Sequence, residues 1–306
     1  MLSRDLMTRG RSNAFVLGLA ISVLASACDR PAAVTFGVIA DCQFAAVPSE
    51  GSRFYSRSWL KLRDALEEFN ARGVRFVVHL GDLVDRGTGS TDIILPVFDR
   101  SKAPVRFVVG NHDLDAAPEP RSELLGRLGI GPGYYAFSSG EWRFIVLNGD
   151  ELGFNFPKDA SLENEAARLW EALVAAKKPN ATKWNGGVGR KQLDFLEAEL
   201  STADRKGLGA IVFCHFPVFP PAAHNLWNDD EVVGLLEKHP SAKAFFAGHN
   251  HAGDYAVKNG IAYLTFAGMV ETRDTSACAI VTVTADRIVV EGFGREPDRT
   301  ITVRRP

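Results

Sequence analysis

Five times along this chain of 306 residues, a short apolar run stops abruptly at a carboxylate, an amide or an imidazole. Residues 34–40 end at Asp41-Cys42-Gln43, residues 74–80 at Gly81-Asp82, and residues 104–109 at Gly110-Asn111-His112-Asp113. Residues 209–214 lead into His215, and residues 242–246 precede Gly248-His249-Asn250-His251. Runs of this length and β-branched content, bounded by glycine, read as buried strands. A strand that ends this way delivers polar side chains to the rim of a sheet, where open α/β folds place their ligands. Gly-Asp after a strand is by itself an ordinary turn; five such ends of restricted chemistry argue for one shared site.

The segments between the runs carry helical spacing. Over residues 56–70, Trp59, Leu60, Leu62, Leu66 and Phe69 share one side while Arg63, Glu67 and Glu68 share the other. Further helices are expected near 92–99, 161–176, 189–200 and 229–238, a hairpin over 134–147, and short strands at 261–266, 277–283 and 287–293. Strand–helix–strand alternation implies parallel strands joined by crossover helices. No repeat or linker divides residues 31–306, which read as one α/β domain.

The donor types narrow the chemistry. Carboxylate, imidazole and amide together suit manganese, iron, zinc or magnesium, and four of the seven histidines lie in these segments. In Asp41-x-Gln43 and His249-x-His251, alternate side chains of an extended segment fall on one face, so each pair can chelate one centre. Cys42 and Cys214 neighbour candidate ligands and should face away from them; with Cys278 they read as core residues. A net charge of −2 argues against a nucleic-acid binder that works through a basic surface. Phosphate-bearing small molecules remain compatible, because bound cations can supply the positive field locally.

The series Asp41-x-Gln43, Gly81-Asp82-x-x-Asp85, Gly110-Asn111-His112-Asp113, His215 and Gly248-His249-x-His251 resembles the calcineurin-like metallophosphoesterases in order and spacing over residues 34–270. The resemblance implies a two-sheet αββα sandwich with a dinuclear metal site at the strand ends. It implies Asp41, Gln43 and His251 on one ion, Asn111, His215 and His249 on the other, and Asp82 bridging both. His112 would face the substrate and protonate or stabilise the leaving oxygen. Two ions 3.5–4 Å apart would lower the pKa of a bridging water and neutralise phosphoryl oxygens during in-line attack. Asp85 and Asp113 could each orient neighbouring groups, and sequence does not choose between them. A non-catalytic scaffold of this fold would be expected to have lost ligands or the His112 equivalent; here every position is filled.

Gln43 stands where most of the family has histidine. Asp-x-Gln is similar to the subgroup of manganese-dependent ADP-ribose/CDP-alcohol diphosphatases, as are residues 53–58, Asn185-Gly186-Gly187 and residues 226–231. The implied cofactor is a pair of manganese ions, and the implied substrates are nucleoside diphosphate compounds; a broader phosphodiesterase or phosphomonoesterase is the alternative. Arg53, Tyr55 and Trp227 are the expected substrate contacts, arginine for a distal phosphate and the aromatics for a base or ribose. Residues 222–225 do not follow the subgroup.

The first 30 residues read separately. Arg4, Arg9 and Arg11 precede an uncharged apolar stretch over 14–25 and small residues ending in Ala27-Cys28. This is a secretory signal. Residues 24–28 resemble a bacterial lipobox with Cys28 as the lipidated residue, and also contain an ordinary cleavage pattern. Export is expected, as a lipoprotein on the periplasmic side of the membrane or as a soluble periplasmic or secreted protein.

Overall fold

Parallel strands joined by crossovers lie within each of two sheets. In the first, β1 (Val34–Ile39), β2 (Val77–His79) and β3 (Val105–Phe107) run parallel. On the other side of β1, β10 (Ala277–Val283), β11 (Arg287–Gly294) and β12 (Arg299–Thr302) continue the sheet antiparallel. The second sheet has the order β4-β5-β6-β7-β9-β8. Its strands are β4 (Tyr135–Ser139), β5 (Trp142–Val146), β6 (Gly209–Phe213), β7 (Ala242–Ala247), β8 (Asp254–Lys258) and β9 (Ile261–Thr265). Here β5, β6, β7 and β9 are parallel, and β4 and β8 form antiparallel edges. The structure is a computed structural model describing residues 33–86, 89–116, 121–154 and 158–303; the secretory signal expected over the first 30 residues lies outside the described residues.

Side-chain alternation explains why two layers stack. On β1, Val34, Phe36 and Val38 point between the sheets, and Ile39 points to the outer layer. On β6, Ile211 and Phe213 point inward while Ala210 and Val212 point out. The inner layer is aromatic: Phe36 stacks on Phe76 at 4.7 Å and meets Phe144 edge-on at 5.5 Å. Helix α1 (Ser58–Arg72) covers the outer face of the first sheet, and Gly37 lets it approach, since a Cβ there would sit 2.5 Å from the Phe69 ring. Helices α6 (Arg190–Lys206) and α7 (Asp229–Lys238) cover the second sheet. The result is the expected αββα sandwich.

Some elements differ from expectation. Helices α3 (Asn111–Ala116) and α4 (Arg121–Arg127), with strands β8 and β12, are additions. Within α1, Trp59 is 38% exposed, whereas Lys61 is buried. Apolar periodicity alone assigns a lysine outward; this one turns inward because a loop offers it carbonyl partners. Helix α2 (Ser90–Ile94) and a 3-10 turn at Leu95–Arg100 replace the single helix expected near 92–99, with Pro96 early in the turn. Helix α5 (Ala160–Ala175) begins at an Asp159 cap whose carboxylate accepts from the Ser161 and Leu162 amides. Cys42, Cys214 and Cys278 are buried and free.

Candidate metal centre

The ends of β1, β2, β3, β6 and β7 open toward the same edge of the sandwich, and the five polar groups read from the sequence converge there. Convergence requires tight turns. Asp41, Gln43, Asp82 and His249 have φ of 51°, 43°, 54° and 65°, in the left-handed region that side-chain-bearing residues avoid. Among the described residues only three other non-glycines do so, which concentrates backbone strain at this rim. Two glycines make room for the carboxylates. A Cβ on Gly110 would lie 2.2 Å from Asp82 Oδ1, and one on Gly248 would lie 2.7 Å from Asp41 Oδ2.

Asp82 sits at the middle of the cluster and is fully buried. Its Oδ2 is 3.1 Å from Gln43 Nε2 and 3.2 Å from His215 Nε2, and its Oδ1 accepts the His112 amide at 2.9 Å. His215 Nε2 is also 3.2 Å from Asn111 Oδ1. On the other flank His251 Nε2 lies 3.5 Å from Asp41 Oδ1, and the His249 amide donates to both Asp41 oxygens at 3.1 Å. Donor atoms of Asp82, His215 and His249 all lie within 4.8 Å of one another.

Each of these histidines has its second ring nitrogen occupied elsewhere. His215 Nδ1 meets the Leu80 carbonyl at 2.8 Å, His249 Nε2 meets Asn185 Oδ1 at 3.0 Å, and His251 Nδ1 meets Glu271 Oε1 at 2.7 Å. Such partners hold an imidazole in one tautomer and leave the other nitrogen for a metal. His112 follows the same rule, with Nδ1 held by Asp85 Oδ1 at 2.9 Å. Asp113 does a different job: its carboxylate accepts the amides of Asp82, Leu83, Val84 and Gly110 at 2.7–3.1 Å, tying two strand ends together.

The residues fit divalent cations. Gln43 Oε1 is buried without a hydrogen-bond partner, an acceptor that a cation would complete. Burial opposes a charge on His215, yet the neighbouring Asp82 carboxylate prevails and raises it to about 10. Burial likewise opposes charge on His251, and Asp41 raises it to about 9. Conversely Asp82, despite burial, is held well below the usual carboxylate range by His215 and His112. Beside Asp82 and Asp41 the field therefore favours positive charge of the kind a divalent ion supplies, whereas burial and the neighbouring His215 hold His249 well below its usual range, neutral and able to act as a ligand.

A cavity of about 170 Å³ opens above this floor, and Arg53, Trp184 and His224 join the ligand-type residues in its wall. Of the three residues expected to contact substrate, Arg53 lines the cavity, 3.9 Å from Glu271. Tyr55 and Trp227 do not line it. Tyr55 is 1% exposed, with Arg86 stacked 4.9 Å from its ring and donating to its hydroxyl at 3.0 Å. Trp227 is also 1% exposed, packed against Trp170 and Phe154, with its indole N–H donating to the Thr182 carbonyl at 3.0 Å. Its own amide bonds the Gly186 carbonyl at 2.7 Å, which turns the indole away from the cavity and onto α5. The tryptophan exposed to the cavity is Trp184, at 53%.

Trp184 and Glu271 have no role assigned from the sequence, where Asn185 stands only as part of a segment similar to the diphosphatase subgroup. The Asn185-Gly186-Gly187 similarity was the available signal for Asn185. Glu271 has none, because its partnership with His251 is made only by folding.

Residues 34–253 match the calcineurin-like phosphoesterase family model, and the chain belongs to that family. It is therefore a metal-dependent phosphoester hydrolase of the dinuclear type. Over 259 residues it is 34% identical to the manganese-dependent ADP-ribose/CDP-alcohol diphosphatase of Arabidopsis thaliana, covering 73% of this chain and 81% of that protein. The Homo sapiens protein of the same description is 27% identical over 318 residues, covering 89% of this chain and 93% of its own. A solved dimetal phosphatase from Danio rerio superposes with a TM-score of 0.80 at 28% identity, covering 90% of this chain and all of that one.

Proposed function

We propose that this protein hydrolyses the pyrophosphate bond of nucleoside diphosphate compounds, of the ADP-ribose or CDP-alcohol kind, with a pair of manganese ions. The observation that carries the reading is Gln43 at the Asp82 cluster, in a chain resembling proteins of that described activity along most of its length. Asp41, Gln43 and His251 would hold one ion, Asn111, His215 and His249 the other, with Asp82 shared; its two carboxylate oxygens suit a bridge. When bound, such a pair supplies a water of lowered pKa and neutralises charge on the phosphoryl oxygens.

The chain's own residues do the rest. His112, held through Nδ1 by Asp85, presents Nε2 to the cavity and gives a proton to the departing phosphate oxygen. Arg53 binds the distal phosphate, and Trp184 offers an exposed ring for the base. The test is product analysis with manganese-loaded protein: AMP and ribose 5-phosphate from ADP-ribose, or CMP from a CDP-alcohol. Turnover of a simple phosphodiester with none of either diphosphate would overturn the substrate and keep the chemistry.

For location, we propose export, with Cys28 as the lipidation site. Support comes from the basic, apolar and small-residue order of the first 28 residues. Fatty-acid labelling of the protein that disappears in Cys28→Ser supports it; an unlabelled Cys28 overturns the lipid.

A further inference from the structure

The loop after β9 holds no helix or strand, only a turn at Met269–Val270 and an isolated bridge from Glu271 to Arg53, yet charged side chains grip it along its length. From α1, the buried Lys61 sends its ammonium to the carbonyls of Met269, Glu271 and Thr272, the last two at 3.1 and 3.0 Å. An ammonium has three donors, and here each has a carbonyl. From the turn between β11 and β12, Arg295 donates to the Gly268 carbonyl at 3.0 Å and to the His251 carbonyl at 3.1 Å. Beside it, Glu296 Oε2 accepts the Ala267 amide at 2.8 Å. The loop in turn donates from Met269 and Val270 to the Ala40 and Asp41 carbonyls at 2.9 Å.

The lysine both satisfies three loop carbonyls and brings a desolvation cost of its own. Burying an ammonium costs free energy that a methionine in the same position of α1 would avoid. What the cations secure is position: the gripped loop carries Glu271, whose carboxylate holds His251 Nδ1 at 2.7 Å. Glu271, Arg295 and Glu296 lie beyond the residues 34–253 that match the family.

We propose that Lys61, by fixing the loop that carries Glu271, and Arg295, by fixing that loop and the His251 backbone, are positioning residues for the His251 imidazole, so that they set the affinity of one metal ion of the pair. That ion is the one assigned to Asp41, Gln43 and His251; the inference rests on that assignment. His215 and His249 have partners elsewhere, at Leu80 and Asn185, so the second ion is insulated from the clamp.

The experiment is manganese titration of metal-depleted, full-length protein, followed by calorimetry and by the electron paramagnetic resonance of bound manganese. Wild-type protein takes up two ions. Lys61→Met weakens one of them by about tenfold, the scale usual for loss of an outer-shell partner, and it is the ion lost in His251→Ala. The other ion keeps its affinity. Because Lys61 acts through Glu271, Lys61→Met with Glu271→Gln binds no more weakly than Glu271→Gln alone. If Lys61→Met does not fold, Arg295→Gln is expected to weaken the same one ion and leave the other; because Arg295 also bonds the His251 carbonyl directly, its effect need not vanish in Glu271→Gln. Unchanged affinities, equal weakening of both ions, or additive effects in the cycle would overturn the proposal. A wild-type protein that takes up fewer than two ions would instead overturn the metal assignment beneath it.

Discussion

The floor of the site and its wall are built on different terms. The floor is made of strand ends, with Asp41, Asp82 and His215 fully buried, left-handed backbone at four ligand-type residues, and glycines that admit nothing larger. The wall is made of loops, and its Arg53 and Trp184 keep much of their surface in water. Ordered floors hold geometry within the tolerance chemistry needs, whereas exposed walls can vary with what is to be bound. Reaction type therefore belongs to the floor and, under the proposed function, substrate choice belongs to the wall.

Substitutions can break that division or sharpen it. The largest effect belongs to the floor. His112→Ala should lower kcat by about 10²–10⁴-fold, the range for a lost general acid, while metal content stays at the wild-type value by elemental analysis. Asp82→Ala should remove both activity and metal; metal retained in Asp82→Ala would show that the floor is misassigned. Next comes Trp227, which belongs to neither region and supports the wall from behind. Trp227→Ala should cost about 3–5 kcal/mol of stability in chemical denaturation, as for a fully buried tryptophan.

A smaller effect tests what lies behind the floor. His79 is buried among Phe98 and Phe107 with neither ring nitrogen hydrogen-bonded, and burial lowers it to about 4. The unfolded chain takes up a proton below about 6.5 and the folded one does not until about 4, so stability falls as pH falls through that window. His79→Leu should remove about 2 kcal/mol of the loss between pH 7 and 5, measured as the difference between variant and wild-type denaturation curves. An identical pH dependence would mean that the acid lability lies in the ligands. Smallest is Trp184→Ala, which should raise KM for a nucleotide substrate about two- to tenfold, from a stacking contact of about 0.5–1.5 kcal/mol, with unchanged melting. A change in kcat of similar size would place Trp184 in the floor's chemistry and undo the contrast.

The floor was legible in the sequence because strand ends announce themselves. An apolar run with period-two burial must stop somewhere, and what stands at the stop is displayed at the rim. Asp41, Gln43, Asp82, Asn111, His112, His215, His249 and His251 were all readable in this way, and the structure brings them to one place. The sandwich was legible too, since alternating strands and amphipathic helices admit few architectures. Periodicity misplaced Trp59 and gives no sign of the inward Lys61, because it registers polarity and not the partners a side chain will find.

Sequence alone determined the layered fold, the reaction class and the floor residues, because those are encoded by local pattern and donor type. Tertiary structure alone decided the partners. It gave Asp85 to His112 and Asp113 to the backbone, brought Glu271 to His251 and Asn185 to His249, and exchanged Trp227 for Trp184 at the cavity. Each of those choices depends on which way a loop side chain turns once the sheets have packed. That direction is set by contacts between segments far apart in the chain, and no local pattern records it.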